Sequence, residues 1–83
     1  MKLLKFYGTY CKPCKVLAQN LSELELTIPL IDYNVEDEYD LADEYKIRSV
    51  PTVILLDDNN NEVKRWVGTF NPKVELKAFI KND

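Results

Sequence analysis

Two cysteines, Cys11 and Cys14, carry the chemistry that the 83-residue sequence offers most directly. The chain has no other cysteine and no histidine, and Lys12 and Pro13 separate the pair. Three kinds of site use a Cys-x-x-Cys spacing: half of a zinc site, a structural disulfide, and a redox-active dithiol.

The missing ligands and the short spacing weigh against the first two. A structural zinc site takes four ligands, so only a dimer sharing one ion would complete it. An inert disulfide closing so short a loop contributes only about 2 kcal/mol by the chain-entropy estimate. Both stay as alternatives, and the pattern favours dithiol–disulfide exchange without a bound metal.

The two cysteines are predicted to be unequal. A helix is expected to begin at the motif, which places Cys11 at its exposed edge, where unpaired backbone N–H groups and the helix dipole favour a thiolate. Lys12 and Lys15 add positive charge nearby. Cys14 falls in register with Leu17 on the apolar helix face, so it is expected to point inward. Cys11 is therefore the predicted nucleophile and Cys14 the resolving thiol.

The apolar pattern predicts the elements that position this motif. Strands are expected at 3–7, 30–35, 52–56 and 62–67, and helices at about 12–25, at 36–46 and from 72 onward. Asn71 should cap the last helix, whose buried side is predicted to comprise Leu76, Phe79 and Ile80. The order β-α-β-α-β-β-α indicates an α/β fold with a four-stranded mixed sheet and helices on both faces. A chain this short is expected to form a single domain over 1–83.

Charge is distributed unevenly along the chain, whose net charge is −3. Residues 1–22 hold four lysines and no acid, whereas residues 23–45 hold nine acids and no base. This balance does not suggest nucleic-acid binding. No window approaches eighteen consecutive apolar residues, and Lys2 and Lys5 interrupt any N-terminal signal sequence, so we expect a cytoplasmic protein without a membrane partner. A processed secreted form, in which the two cysteines persist as a disulfide, is the alternative.

A second motif, Val50-Pro51-Thr52, follows the cysteine turn at a distance that matches a known family. Together with the motif at 10–15 and the strand that ends at Gly68, it makes the chain resemble thioredoxin and its small, glutaredoxin-sized relatives over nearly its whole length. The resemblance implies a thioredoxin-like fold and protein disulfide oxidoreductase activity through Cys11 and Cys14.

The resemblance also implies a substrate-binding surface. Pro51 matches the family's cis-proline beside the dithiol, and the main chain of Val50 would pair with the substrate backbone. Tyr10 stands where most thioredoxins have Trp, and Gly68 matches the glycine of the loop that flanks the groove. These residues, with Pro13, would form a small apolar contact surface, although ordinary packing and an ordinary turn also account for Tyr10 and Gly68.

Two charged residues depart from the family pattern. Thioredoxins place an aspartate on the strand before the motif and a lysine on the neighbouring strand, whereas this chain has Lys5 and Asp32 at those places. The exchanged pair is expected to meet behind Cys14, with Asp32 as proton acceptor during resolution and Lys5 making the dithiol more oxidising. A weak, solvent-exposed ion pair is the alternative.

By resemblance, the partners are disulfide-containing proteins and a thioredoxin reductase that supplies electrons from NADPH, and the chain is expected to be a monomer without a bound cofactor. A glutaredoxin-like enzyme recycled by glutathione is the nearest rival. Against it, Gly68 is followed by Thr69 rather than by the paired glycine and acid that hold glutathione. A thioredoxin-fold binding module with idle cysteines is the second rival.

Overall fold

The computed structural model describes residues 1–79 and contains the predicted order of elements. The strands are β1 (Lys2–Tyr7), β2 (Leu30–Asn34), β3 (Thr52–Leu56) and β4 (Glu62–Val67). The helices are α1 (Lys12–Ser22), α2 (Tyr39–Glu44) and α3 (Pro72–Glu75), and a 3₁₀ turn (Leu76–Ala78) follows α3. The predicted burial of Ile80 concerns a residue outside this range.

The four strands form one mixed sheet in the order β2-β1-β3-β4. β1 runs parallel to β2 and antiparallel to β3, and β3 forms an antiparallel hairpin with β4. Between β3 and β4, Asp57 Oδ1 accepts hydrogen bonds from the backbone N–H groups of Asn59 and Asn61, and Asn60 has a left-handed φ of 63°. The predicted hairpin and the predicted edge position of β4 are both confirmed.

Helices cover both faces of the sheet, as predicted. On one face, strand residues pack against Leu17 and Leu21 of α1 and against Leu76. On the other face, Phe6 and its strand neighbours pack against Ala42 of α2. All five residues of β3 are buried because this strand lies between β1 and β4 and is covered on both faces of the sheet.

Two predicted helix boundaries were wrong. α1 ends at Ser22, not near residue 25. The Ser22 hydroxyl donates to the Gln19 carbonyl at 2.7 Å, a local hydrogen bond that competes with further helix. Leu24 still packs against the core from the following loop, which explains the misleading apolar pattern. α2 starts late because the Asn34 carbonyl accepts hydrogen bonds from the N–H groups of residues 37 and 38, which forms a turn.

The end of α1 is joined to α3 by an ion pair. Lys73 Nζ lies 2.8 Å from Glu23 Oε2, and this hydrogen bond is the main cause that lowers the pKa of Glu23. Asn71 begins α3 by accepting a hydrogen bond from the Lys73 N–H at 3.1 Å, which confirms the predicted cap.

This pair predicts a small pH-dependent contribution to stability. Because the pKa of Glu23 is lowered in the folded chain, its contribution is present above the ordinary glutamate pKa of about 4.3 and is lost as the pH falls through the lower folded value. Urea unfolding should therefore show that Glu23→Gln is less stable than the unsubstituted chain at pH 7 and that this difference shrinks toward pH 3. Glu25→Gln, an exposed control two residues on, should not show the same dependence.

Candidate active site

The cysteine motif occupies the junction between β1 and α1. Cys11 is the N-cap of α1, with extended backbone angles, and Pro13 lies in the first turn, where a proline costs no helical hydrogen bond. Cys11 and Cys14 are joined in a disulfide, with Cα atoms 5.2 Å apart. The helix therefore starts at the motif, as the sequence predicts.

The two sulfur environments differ. Cys11 is half-buried, and its Sγ accepts a hydrogen bond from the backbone N–H of Cys14 at 3.2 Å. Cys14 is only 4% exposed and belongs to the buried face of α1 with Leu17 and Leu21. A backbone donor at the start of a helix stabilises negative charge on Cys11 when the disulfide opens.

The loop before β3 lies against the disulfide. The carbonyl oxygen of Val50 lies 3.8 Å from Cys11 Sγ, and the Val50–Pro51 peptide bond is cis. The Pro51 carbonyl accepts a hydrogen bond from the Gly68 N–H at 2.8 Å. Gly68 has a φ of 88°, in the left-handed region that favours glycine, so this residue type is required where β4 ends.

The predicted apolar contact surface is only partly exposed. Tyr10 is 96% exposed, which contradicts ordinary packing as an account of this residue, and Pro13 is exposed beside it. Val50 and Gly68 are half-buried. The Pro51 side chain is fully buried, so its predicted place on an exposed contact surface was wrong.

The exchanged charges meet as predicted. Lys5 and Asp32 are register neighbours on β1 and β2, and Lys5 Nζ lies 2.9 Å from Asp32 Oδ1. The side chain of Lys5 is 10% exposed, whereas that of Asp32 is 51% exposed. Both residues line a pocket that Cys14 also lines. The pair therefore consists of a buried cation and a solvent-facing carboxylate. This arrangement lies between the pair behind Cys14 and the solvent-exposed pair that the sequence left open.

A model of the thioredoxin family matches residues 1–82. The chain belongs to the thioredoxin family. Among thioredoxins, that of Mycoplasmoides gallisepticum is 35% identical over 82 residues, covering 95% of this chain and 80% of its own length. The thioredoxin of Buchnera aphidicola is 38% identical, with 94% and 74% of the two chains covered.

Solved thioredoxin structures share the fold. The crystal structure of reduced Schistosoma mansoni thioredoxin pre-protein superposes with a TM-score of 0.76 at 33% identity, covering 95% of this chain and 78% of that chain. The X-ray structure of Fasciola hepatica thioredoxin gives a TM-score of 0.81 at 23% identity, covering 92% and 75%. The thioredoxin-like fold predicted from the sequence is confirmed.

The thioredoxin-family chain is a thiol–disulfide oxidoreductase whose redox pair is Cys11 and Cys14. Proteins of this family exchange disulfides with other proteins. Within residues 1–79, no group of three or more His, Cys, Asp or Glu side chains is placed to hold a metal ion. In the same part of the chain, no helix has the length and apolar character needed to cross a membrane.

The sequence analysis did not predict a hydrogen-bond network that lies beside the cysteine motif. Thr9 Oγ1 donates to Glu36 Oε2 at 2.9 Å and accepts from Asn34 Nδ2 at 3.1 Å. The network ties the loop before the motif to the end of β2. Thr9 lies more than twenty positions before both of its partners, and no local pattern in the sequence indicates the contact.

Val67 is the second missed residue. It is 64% exposed and directly precedes Gly68, whose N–H holds the loop of Val50 and Pro51. An exposed valine at the end of an edge strand carries no sequence signal of its own, because β-branched residues are ordinary in strands.

Proposed function

We propose that the chain is a protein disulfide reductase that receives electrons from NADPH through a thioredoxin reductase. The observation that carries the proposal is the disulfide at the start of α1, with the Val50 main chain 3.8 Å from Cys11 Sγ. The disulfide and a main-chain segment with which a substrate can pair thus lie side by side.

In the reduced protein, Cys11 is the nucleophile. Its thiolate attacks one sulfur of a substrate disulfide, a mixed disulfide forms, and the other substrate sulfur leaves as a thiolate that takes a proton. Cys14 then loses its proton and attacks Cys11 Sγ, which releases the second substrate thiol and closes the Cys11–Cys14 bond. The N–H of Cys14, 3.2 Å from Cys11 Sγ, supports this division of roles because it favours the charged form of Cys11.

Substrates bind across the loop of Val50. Its main chain pairs with the backbone of the substrate. Because this pairing does not depend on the substrate's side chains, it suits many partners. Tyr10 and Pro13 provide exposed apolar contact on one side, and Gly68 with Val67 provides it on the other. Pro51 acts only by holding this loop, since its side chain is buried.

Lys5 and Asp32 manage the charge behind Cys14. Asp32 is half exposed and lines the same pocket as Cys14, so it can take the Cys14 proton and pass it to solvent. Lys5 is a buried cation in that pocket, which favours thiolates and therefore makes the disulfide a stronger oxidant.

The chain works as a monomer in the cytoplasm. Both redox cysteines come from one chain, so exchange needs no second copy. A reducing compartment is where a dithiol of this kind is regenerated. No bound cofactor takes part in the exchange, because the two sulfurs carry both electrons.

Coupled assays distinguish this function from glutathione recycling. With NADPH, a thioredoxin reductase and insulin, the chain should accelerate NADPH oxidation in proportion to its concentration. With NADPH, glutathione and glutathione reductase, acting on a small mixed disulfide, it should add little to the uncatalysed rate. The opposite result would assign the chain to the glutathione system.

Insulin reduction by dithiothreitol provides a reductase-independent readout. The unsubstituted chain should accelerate it, and Cys11→Ser should not. If Cys11→Ser retained the acceleration, the cysteines would be idle and the binding-module interpretation would hold.

A further inference from the structure

The loop of residues 8–10, which joins β1 to the cysteine motif, has no main-chain tether of its own. Before it, the Tyr7 carbonyl accepts a hydrogen bond from the Val35 N–H at 2.9 Å. After it, the Cys11 carbonyl accepts the first main-chain bond of α1, from the Lys15 N–H at 3.3 Å. Within the described part of the chain, the backbone groups of the loop itself form no hydrogen bond. Such a segment moves more easily than the elements that flank it.

The side chain of Thr9 supplies the tether that the backbone lacks. Its hydroxyl donates to Glu36 Oε2 at 2.9 Å and accepts from Asn34 Nδ2 at 3.1 Å. Asn34 Oδ1 in turn accepts the Glu36 N–H at 2.9 Å, so the three residues form a closed ring of hydrogen bonds. An amide nitrogen can only donate and a carboxylate can only accept, so the single hydroxyl proton is directed to Glu36. The tether therefore depends on an acceptor at residue 36.

The tethered loop lies against the nucleophile and against the loop of Val50. A Cβ atom placed on Gly8 would lie 3.4 Å from Val50 Cγ2 and 3.8 Å from Cys11 Cβ. On the other side of Thr9, Tyr10 is 96% exposed. The anchored residue thus stands between the glycine that contacts both groups and the exposed aromatic side chain, and a shift of the loop would change their spacing.

We propose that Glu36, acting through Thr9, is a positioning residue that favours protein disulfides over small ones. The proposal rests on the proposed attack by Cys11 and the proposed pairing of substrates with Val50. A protein substrate must meet the sulfur and the main chain at one fixed spacing, and a loop that is already ordered spares the complex that ordering cost. A small disulfide meets only the sulfur, so its reaction does not depend on the spacing.

The tether contributes to placement of the loop rather than to stability of the fold. Thr9 and Glu36 are exposed, so their hydrogen bond exchanges with bonds to water and has a small net free energy. The strands on either side of it are already paired in register from Leu3 with Leu30 to Tyr7 with Asn34. Loss of the tether should therefore loosen the loop while leaving the free energy of unfolding almost unchanged.

Thr9→Val removes the hydroxyl at nearly constant shape. Second-order rate constants are measured by stopped flow for the reduced chain with insulin and with bis(2-hydroxyethyl) disulfide. The insulin constant should fall by about two- to tenfold, the range that one hydrogen bond supports, while the small-disulfide constant is unchanged. Thr9→Ser keeps the hydroxyl and should retain the insulin constant.

Two variants of Glu36 separate the acceptor from its charge. Glu36→Gln keeps an oxygen that accepts the Thr9 hydroxyl, so the ratio of the insulin constant to the small-disulfide constant should be retained. Glu36→Leu removes the acceptor and should lower this ratio as Thr9→Val does. Combining Glu36→Leu with Thr9→Val should lower it no further, because both changes break one interaction. Additive losses, or a loss in Glu36→Gln equal to that in Glu36→Leu, would overturn the tether.

Thr27→Val is the matched control. It makes the same change at an exposed threonine near Pro29, whose carbonyl bonds the Leu3 N–H at the opposite end of β1 from the motif. Both rate constants should be unaffected. In Thr9→Val, an unchanged ratio of the two constants overturns the positioning role, whether both constants fall together or neither falls. Failure of the unsubstituted chain to reduce either disulfide would instead contradict the proposed redox function.

Discussion

Cys14→Ser is expected to accumulate covalent complexes through Cys11 when the reduced variant meets proteins that contain disulfides. The variant keeps the nucleophile and its N–H donor but lacks the thiol that releases the substrate, so each mixed disulfide persists. Non-reducing electrophoresis should show new bands that disappear with dithiothreitol, and mass spectrometry should identify the bound proteins. Insulin turnover should fall to the uncatalysed rate.

Cys11→Ser is the matched control for this trap. It keeps one thiol in the same motif, but Cys14 is only 4% exposed and belongs to the buried face of α1. Protein complexes should therefore be absent. Equal trapping by both variants would contradict the assignment of Cys11 as the nucleophile.

Removing either partner of the ion pair behind Cys14 should have unequal effects on stability. Asp32→Asn leaves the ammonium of Lys5 buried without its carboxylate, whereas Lys5→Met removes the buried charge and leaves Asp32 half exposed to water. Breaking a buried pair from one side is costly, whereas replacing the charge with an apolar side chain is often neutral. We expect urea unfolding to show that Asp32→Asn is less stable than Lys5→Met by about 1 kcal/mol, a value reduced for the exposure of Asp32.

The same two variants should separate the roles of the pair in the reaction. If Asp32 accepts the Cys14 proton, Asp32→Asn should slow resolution of a preformed mixed disulfide by about tenfold or more near neutral pH. Lys5→Met should lower the reduction potential by about 30 mV, which corresponds to about 1.4 kcal/mol for this two-electron couple. Stopped-flow kinetics and redox equilibration with glutathione measure the two quantities.

Asp43→Asn is the matched control for these measurements. It makes the same chemical change on α2, on the opposite side of the sheet from α1. It should alter neither resolution nor potential. Resolution that is equally fast in Asp32→Asn across pH 6–8 would exclude Asp32 as the acceptor.

Much of the fold could be predicted because each element has a local cause. β3 has no polar alternation over residues 52–56, so its burial on both sides follows from the apolar run alone. Asn71 and Pro72 mark the start of α3 through a side-chain cap and a restricted φ. The predicted boundaries of α1 and α2 were wrong where side-chain and turn hydrogen bonds replaced helical ones, as at Ser22 and Asn34.

The sequence by itself determined the redox motif, the buried position of its second cysteine and the alignment of Lys5 with Asp32. These features depend on spacing along a helix and on register between adjacent strands. Only the tertiary structure decided that Lys5 is buried while Asp32 is half exposed, that Pro51 lies inside its loop, and that a pocket with Lys15 opens beside Cys14. These features depend on how loops and helices pack over the sheet. The contacts join residues far apart in the chain, and no local pattern encodes their distances.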